Sequence, residues 1–385
     1  MPLQLHSTNP LLGGALIGGL MLSVPVAQAA LPAYTLTELS MPGAASSEAY
    51  AINASGQVVG SSVGRADGSF FALPGPVLWQ PGSATPLTLN GLSGFVSAKG
   101  INDSGQVVGD SVVDYYSGAT HGVLWQAGSN TPSGLRTIDG TNSYANAINA
   151  GGQIVGSASV YGAYHAVWWA TASEIFDLGT AGGSNSGAYG INDSGQVVGW
   201  SQTSDNAASH AALWQIDPAL WQGGTSAIDL GTLGGTNSYA EAINASGQVV
   251  GWSGIYGNAG VHAALWQPGS TTPTDLGTLG GDSGARSVNA GGQVVGHSIT
   301  VGGEEHAVMW QAGSASPIDL NTLVALSSGF LNNAMGINDA GQIIANSSDG
   351  RAYLLTPASV TSVPLPGAVW LFGSALMGLV RRKKI

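Results

Sequence analysis

Five histidines open one recurring segment: His121 in HGVLW, His165 in HAVWW, His210 and His262 in HAALW, and His306 in HAVMW. Four aspartates recur in a second segment: Asp177, Asp229 and Asp275 in DLGT, and Asp319 in DLNT. Imidazoles and carboxylates are the usual metal ligands and general acid–base groups. Their arrangement argues against both roles. A reactive centre needs different residues converging on one point, whereas these hold one position in successive repeats and are thereby kept apart. Each His is expected to reach the Asp of its own repeat, or a turn backbone, because a buried polar group needs a partner. Neither a metal centre nor a cofactor is expected, and no catalytic residue is assigned.

Other chemistry fares no better. Glycoside hydrolysis needs a pair of carboxylates. The one unrepeated pair, Glu304-Glu305, reads as a solvated loop. The alternating acids of a calcium loop are absent, since each turn carries one acid at most. The Asn-Asp-Ser-Gly turns are faintly similar to the Asp-box of sialidase propellers, but the tryptophan spacing differs. Arg65, Arg136, Arg286 and Arg351 also fall in different repeats. What remains is Tyr115, Tyr116, Tyr161, Tyr164 and Tyr256 in the variable loops, with Trp200 and Trp252 at nearby strand ends. Asn, Ser, Asp and Gly surround them. An aromatic face flanked by amides and hydroxyls suits a sugar, and loops on a rigid scaffold are where binding residues concentrate.

The elements that would carry these loops repeat. INASGQVVG at 52–60 returns as INDSGQVVG (101–109), INAGGQIVG (148–156), INDSGQVVG (191–199), INASGQVVG (243–251), VNAGGQVVG (288–296) and INDAGQIIA (337–345). Successive starts differ by 49, 47, 43, 52, 45 and 49 residues, and the longest unit carries an extra IDPALWQGG at 216–224. Each unit holds four short strand candidates: the segment before the anchor, QVVG, HAALW and the approach to DLGT. The Asn-x-x-Gly tetrads between the first two are hairpin turns.

Four strands in such a span make a propeller blade. The chain opens with a lone fourth strand, YTLTEL at 34–39, and ends its last repeat at a third strand, RAYLL at 351–355. The expected fold is therefore all-β: a seven-bladed propeller, closed by the N-terminal strand, with the AIN segment innermost. An open β-solenoid is the alternative.

Composition adds exclusions. There are no cysteines among 385 residues, so disulfides and thiolate chemistry are excluded. Outside a C-terminal cluster, Arg381, Arg382, Lys383 and Lys384, the chain carries 5 basic residues against 21 acidic. A nucleic-acid partner would need a basic footprint, so none is expected.

The two ends read as addresses. Residues 11–24 form an apolar run followed by Ala27-Gln28-Ala29, the small-x-small pattern of signal peptidase, placing a secretory leader at 1–29. The repeat domain then occupies 30–357 and a tail 358–385. In that tail Val363, Pro364, Leu365 and Pro366 precede an apolar segment, 367–380, short for a membrane span. The basic cluster after it should stay cytoplasmic.

This tail resembles the PEP-CTERM sorting signal of Gram-negative bacteria, with VPLP in place of the commoner VPEP. The resemblance implies processing by an exosortase, transient membrane anchoring, and display at the cell surface or release, often alongside exopolysaccharide. Residues 34–356 resemble the extracellular HAF repeats, whose His-Ala-Phe strand here reads His-Ala-Ala, His-Ala-Val or His-Gly-Val. WD-repeat propellers have a similar His–Asp network. The expected protein is an exported, non-enzymatic surface or biofilm-matrix component that binds extracellular polysaccharide or another surface partner. The alternatives are a glycan-active hydrolase or lyase and a purely structural coat protein.

Overall fold

The computed structural model describes residues 33–64, 75–83, 85–114, 116–216 and 226–358. The leader, the tail beyond residue 358, Tyr115 and all but the first residue of the 216–224 insertion lie outside the described residues.

The described strands form seven four-stranded antiparallel sheets. Six of them follow chain order, and the seventh is completed by the first strand of the chain. That strand, Tyr34–Leu39, runs antiparallel to Ala352–Pro357, in register from Tyr34 opposite Pro357 to Leu39 opposite Ala352. Arg351 Nη1 lies 2.7 Å from Glu38 Oε1 beside this seam. The ring is thus a seven-bladed β-propeller, sealed by its N-terminal strand as the repeat count requires. The closing strand covers the edge of Ala352–Pro357 that would otherwise be open to another chain.

Blades are numbered 1–7 from Ala44. Their innermost strands are Ala44–Ile52, Val96–Ile101, Ser143–Ile148, Ser186–Ile191, Gly234–Ile243, Gly280–Val288 and Leu331–Ile337. Residues from all seven line a central channel. Bulk is limited there by convergence: a Cβ on Gly100 would come within 3.0 Å of the Asn146 carbonyl of the next blade.

The INxSGQ anchor builds a tight turn. In blade 1 the Asn53 N–H donates to the Gln57 carbonyl and the Gly56 N–H to the Asn53 carbonyl, both at 3.0 Å. Gly56 has φ +80°, a conformation that glycine adopts without strain. The Asn53 side chain does the rest. Its Oδ1 accepts from the Gln57 N–H at 2.9 Å, and its Nδ2 donates to Gln57 Oε1 at 2.8 Å.

The same Nδ2 also donates to the Asn102 carbonyl of blade 2 at 3.0 Å. Every blade repeats this. Asn102, Asn149, Asn192, Asn244, Asn289 and Asn338 each donate onward, at 3.0–3.2 Å, and Asn338 returns to Asn53. The result is a closed circle of hydrogen bonds at the channel base, formed by asparagines only 3–6% exposed.

Apolar packing also runs between blades rather than within them. Val59 and Leu78 of blade 1 pack with Val107 and Trp125 of blade 2. At the seam, Leu39 and Ala352 of blade 7 pack with Val58, Val77 and Trp79 of blade 1. The tryptophans ending the third strands are the largest buried groups, with Trp125, Trp169, Trp214 and Trp310 fully buried. Some tie back to the preceding blade: Trp125 Nε1 donates to Asn90 O at 3.0 Å and Trp266 Nε1 to Leu230 O at 2.7 Å. Serines add further ties, as where the Ala166 N–H donates to Ser186 Oγ of the next blade at 2.8 Å.

The recurring His and Asp form contacts within single blades. His165 Nδ1 lies 2.8 Å from Asp177 Oδ2, and His210–Asp229, His262–Asp275 and His306–Asp319 pair at 2.7 Å. The other carboxylate oxygen accepts the N–H two residues on, in Gly179, Gly231, Gly277 and Asn321. In blade 2 the position equivalent to these aspartates, opposite Val123, is Gly134, so no Asp stands there.

These two polar systems should differ in weight. Asn244→Ala strands the Gln248 N–H and the Asn289 carbonyl, and is expected to cost about 2–3 kcal/mol in urea unfolding. His210→Ala breaks a half-exposed pair and is expected to cost about 0–1 kcal/mol in the same measurement.

Candidate functional site

One position in every innermost strand departs from the regular ladder. Pairing to the second strand skips one residue between Ala49 and Ala51, Ala98 and Gly100, Ala145 and Ala147, Ala188 and Gly190, Ala240 and Ala242, Ala285 and Ser287, and Ala334 and Gly336. The skipped residues are Tyr50, Lys99, Asn146, Tyr189, Glu241, Arg286 and Met335. A β-bulge re-aims a side chain, and here all seven line one cavity of about 490 Å³ at the channel mouth.

The bulge has a visible counterpart in the second strand. A Cβ on Gly60, Gly109, Gly156, Gly199, Gly251 or Gly296 would fall within 2.0 Å of a carbonyl of the bulged strand. In six blades the glycine of the second strand therefore permits this close approach, while blade 7 forms the same bulge opposite Ala345. The alanine before each bulged residue is fully buried in all seven blades, so the strand is anchored immediately beside it.

Chemically the mouth is varied. Lys99 is ion-paired with Asp110 of its own blade, donates to Asn146 Oδ1 at 3.3 Å and lies 5.4 Å from the Tyr144 ring centre. Asn146 Nδ2 donates to the Ala188 carbonyl at 2.8 Å, tying blade 3 to blade 4. Arg286 Nη1 lies 3.3 Å from Glu241 Oε1, across blades 6 and 5. Tyr50 donates its hydroxyl to Glu48 Oε2 at 2.6 Å, and burial followed by that hydrogen bond pushes its pKa up to about 12. Burial raises the Glu241 carboxyl, against the opposing pull of Arg286 and a hydrogen bond from Trp252.

An aromatic run borders the mouth on blades 4 and 5. Trp200 and Tyr239 approach to 5.7 Å between ring centres, and Tyr239 stacks on Trp252 at 4.4 Å. Trp200 also hydrogen-bonds Tyr189. Gly187 opposite Trp200, and Gly284 opposite His297, leave room for these side chains to lie over the first strand. An added Cβ would meet them at 2.8 and 2.7 Å.

The loop tyrosines lie elsewhere. Tyr116, Tyr161 and Tyr256 sit at or beside the second-to-third-strand connections of blades 2, 3 and 5, and are 99%, 93% and 87% exposed. Tyr164 is drawn in, 6.2 Å from Tyr144, and its hydroxyl accepts from Asn142 at 3.4 Å. The structure does not gather these tyrosines into one site, whereas it does gather the seven bulged residues. The signal for the latter was present in the repeats. The third residue before each anchor asparagine reads Tyr, Lys, Asn, Tyr, Glu, Arg and Met, between small neighbours that barely change. Among the described residues, no group of three or more His, Asp or Glu is placed to hold a metal ion.

No protein-family model matches this chain, and no curated protein sequence does. Solved structures share its fold. The β-propeller domain of the Trilobed protease from Pyrococcus furiosus is similar with a TM-score of 0.53 at 9% identity, over 82% of this chain and 96% of that one. That propeller has an open velcro topology, while here the first and last strands pair. A puromycin-hydrolyzing peptidase of Mycobacterium tuberculosis gives 0.52 at 10% identity, over 83% of this chain and 52% of that one. TolB from Acinetobacter baumannii gives 0.44 at 13% identity, this chain spanning 60% of its length. For the two peptidase-associated structures, the shared property at these identities is the propeller itself.

His297, beside the mouth, supplies a test of its electrostatics. Burial, then the Arg286 charge, lowers its pKa to about 4, with Asp282 opposing. An unfolded His titrates near 6.5. Between those values the unfolded chain binds more protons, so stability falls as pH drops through this window. From pH 7 to pH 4 the protein is expected to lose about 3 kcal/mol more unfolding free energy than His297→Gln. Urea unfolding across that range checks it.

Proposed function

We propose that this chain is an exported, non-enzymatic propeller of the cell surface or extracellular matrix of a Gram-negative bacterium, and that it binds extracellular polysaccharide at its channel mouth. The observation that carries the reading is the symmetry-breaking ring. Seven near-identical blades present seven bulged residues of six different kinds, Tyr occurring twice, to one cavity. Ring closure does not need that variety, but recognition of an asymmetric ligand does.

The chemistry around the cavity favours a glycan. Trp200, Tyr239 and Trp252 supply aromatic faces, while Asn146, Tyr50, Lys99, Glu241 and Arg286 supply hydrogen bonds. The charged groups are held in pairs, Lys99 with Asp110 and Arg286 with Glu241. That pairing suits binding better than acid–base turnover, which needs a carboxylate pair flanking the scissile bond. Export rests on the leader ending at Ala29. Handling by signal peptidase and then an exosortase rests on the PEP-CTERM-like tail, and the HAF-like repeats accord with an extracellular setting. The repeats and the tail support a working surface outside the cell.

The test is isothermal titration of the full-length protein against extracellular polysaccharide from the producing cells. Binding without cleavage is expected, weakened at least about tenfold, a loss of about 1.4 kcal/mol, by Trp200→Ala with Trp252→Ala. Loss of binding only in Tyr116→Ala, Tyr161→Ala and Tyr256→Ala combined would move the site to the hairpin tips. Absence of binding would leave a structural coat role. Shortening of the polymer would make the protein an enzyme.

A further inference from the structure

A groove leaves the channel mouth between blades 5 and 6. It comprises two adjoining cavities of about 320 and 460 Å³ that share Trp252, Val261 and Asp282. Arg286 belongs both to the mouth and to the inner cavity, so the groove and the mouth are continuous. His297 and Glu305 also line the inner cavity. Asn237 and Asn258 line the outer one.

The charge in this groove is one-sided. Asp282 and Glu305 are exposed along it. Its one guanidinium, Arg286, is already engaged by Glu241 at 3.3 Å. The His297 imidazole is uncharged at neutral pH. The Trp252 ring stands beside the acids, stacked from behind by Tyr239 at 4.4 Å and so fixed in orientation. A rigid indole face with carboxylates at its edge is an arrangement that attracts an ammonium group. The amides of Asn237 and Asn258 and the hydroxyl of Thr236 add neutral hydrogen-bonding groups, suited to sugar hydroxyls.

We propose that this groove is a subsite for a sugar unit carrying a free, protonated amine, held by Trp252, Asp282 and Glu305. The proposal rests on the reading of the mouth as a glycan site and names the chemistry that one arm of it selects. A de-N-acetylated hexosamine meets the description. Its N-acetylated form does not, because acetylation removes the charge.

The probes are a glucosamine tetramer and its fully N-acetylated counterpart, titrated calorimetrically into the full-length protein. The free-amine oligomer should bind at least tenfold more tightly. Asp282→Asn combined with Glu305→Gln should abolish that preference while leaving the weaker binding of the acetylated oligomer in place. Asn at 282 keeps the oxygen that accepts the Val261 N–H at 2.9 Å, so the fold is preserved. A second readout is salt: the preference should shrink as ionic strength rises, as for any ion pair open to solvent. Equal affinity for the two oligomers overturns the proposal, as does a preference that survives the double substitution. If neither oligomer binds but the cells' own polysaccharide still does, and Trp200→Ala weakens it, the amine subsite fails and the glycan-binding mouth stands. If the polysaccharide is not bound either, both readings fail together.

Discussion

The circle of asparagine side chains at the channel base is the constraint on which the other features depend. Each of these residues serves two structures at once. It completes its own hairpin through the glutamine four residues later, and it reaches the backbone of the next blade. A blade cannot shift or tilt without leaving a buried amide or carbonyl unpaired, which costs more than the bond itself contributes. Because Asn338 donates back to Asn53, the circle has no end from which to unravel. The apolar clusters follow the same logic. Each spans two blades, so no blade has a core until its neighbour is present.

This closure frees one position for variation. The buried alanine before the bulge, faced by glycine in six blades and by Ala345 in the seventh, holds the backbone whatever residue follows it. Tyr, Lys, Asn, Glu, Arg and Met are all accommodated there because the bulged residue takes no place in the ladder and lines open space. A symmetric scaffold thus presents an asymmetric surface at its axis, where equivalent positions come together. At the rim the same symmetry has the opposite result. Four His–Asp pairs, identical in chemistry, are held in four separate blades, each bracing its own third and fourth strands.

The mouth shows how such a surface manages charge. Lys99 and Arg286, two of the few cations in an acidic protein, are each held by a carboxylate supplied by the bulged or second strand of a blade. The surroundings of His297 keep the imidazole neutral despite nearby acids. Polarity is therefore high at the mouth, where both cations are paired, while Asp282 and Glu305 stand exposed along the groove.

Fold and closure were written in the sequence because they rest on local, repeated chemistry. The Asn-x-x-Gly turn dictates a hairpin, the short apolar runs dictate strands, and the unmatched YTLTEL and RAYLL segments dictate how the ring is sealed. The pairing of His with Asp was also legible, since each recurs at one place in successive repeats. The site was not. Loop aromatics such as Tyr161 and Tyr256 stand out in a sequence, but the fold leaves them at or near hairpin tips in separate blades. The residues that meet at the axis are 43 to 52 positions apart from one blade to the next. Only the bulge, which turns one residue per blade toward the centre, and the ring, which brings seven of them together, make a single cavity of them. Repetition in sequence determined the scaffold, and convergence in space decided the site.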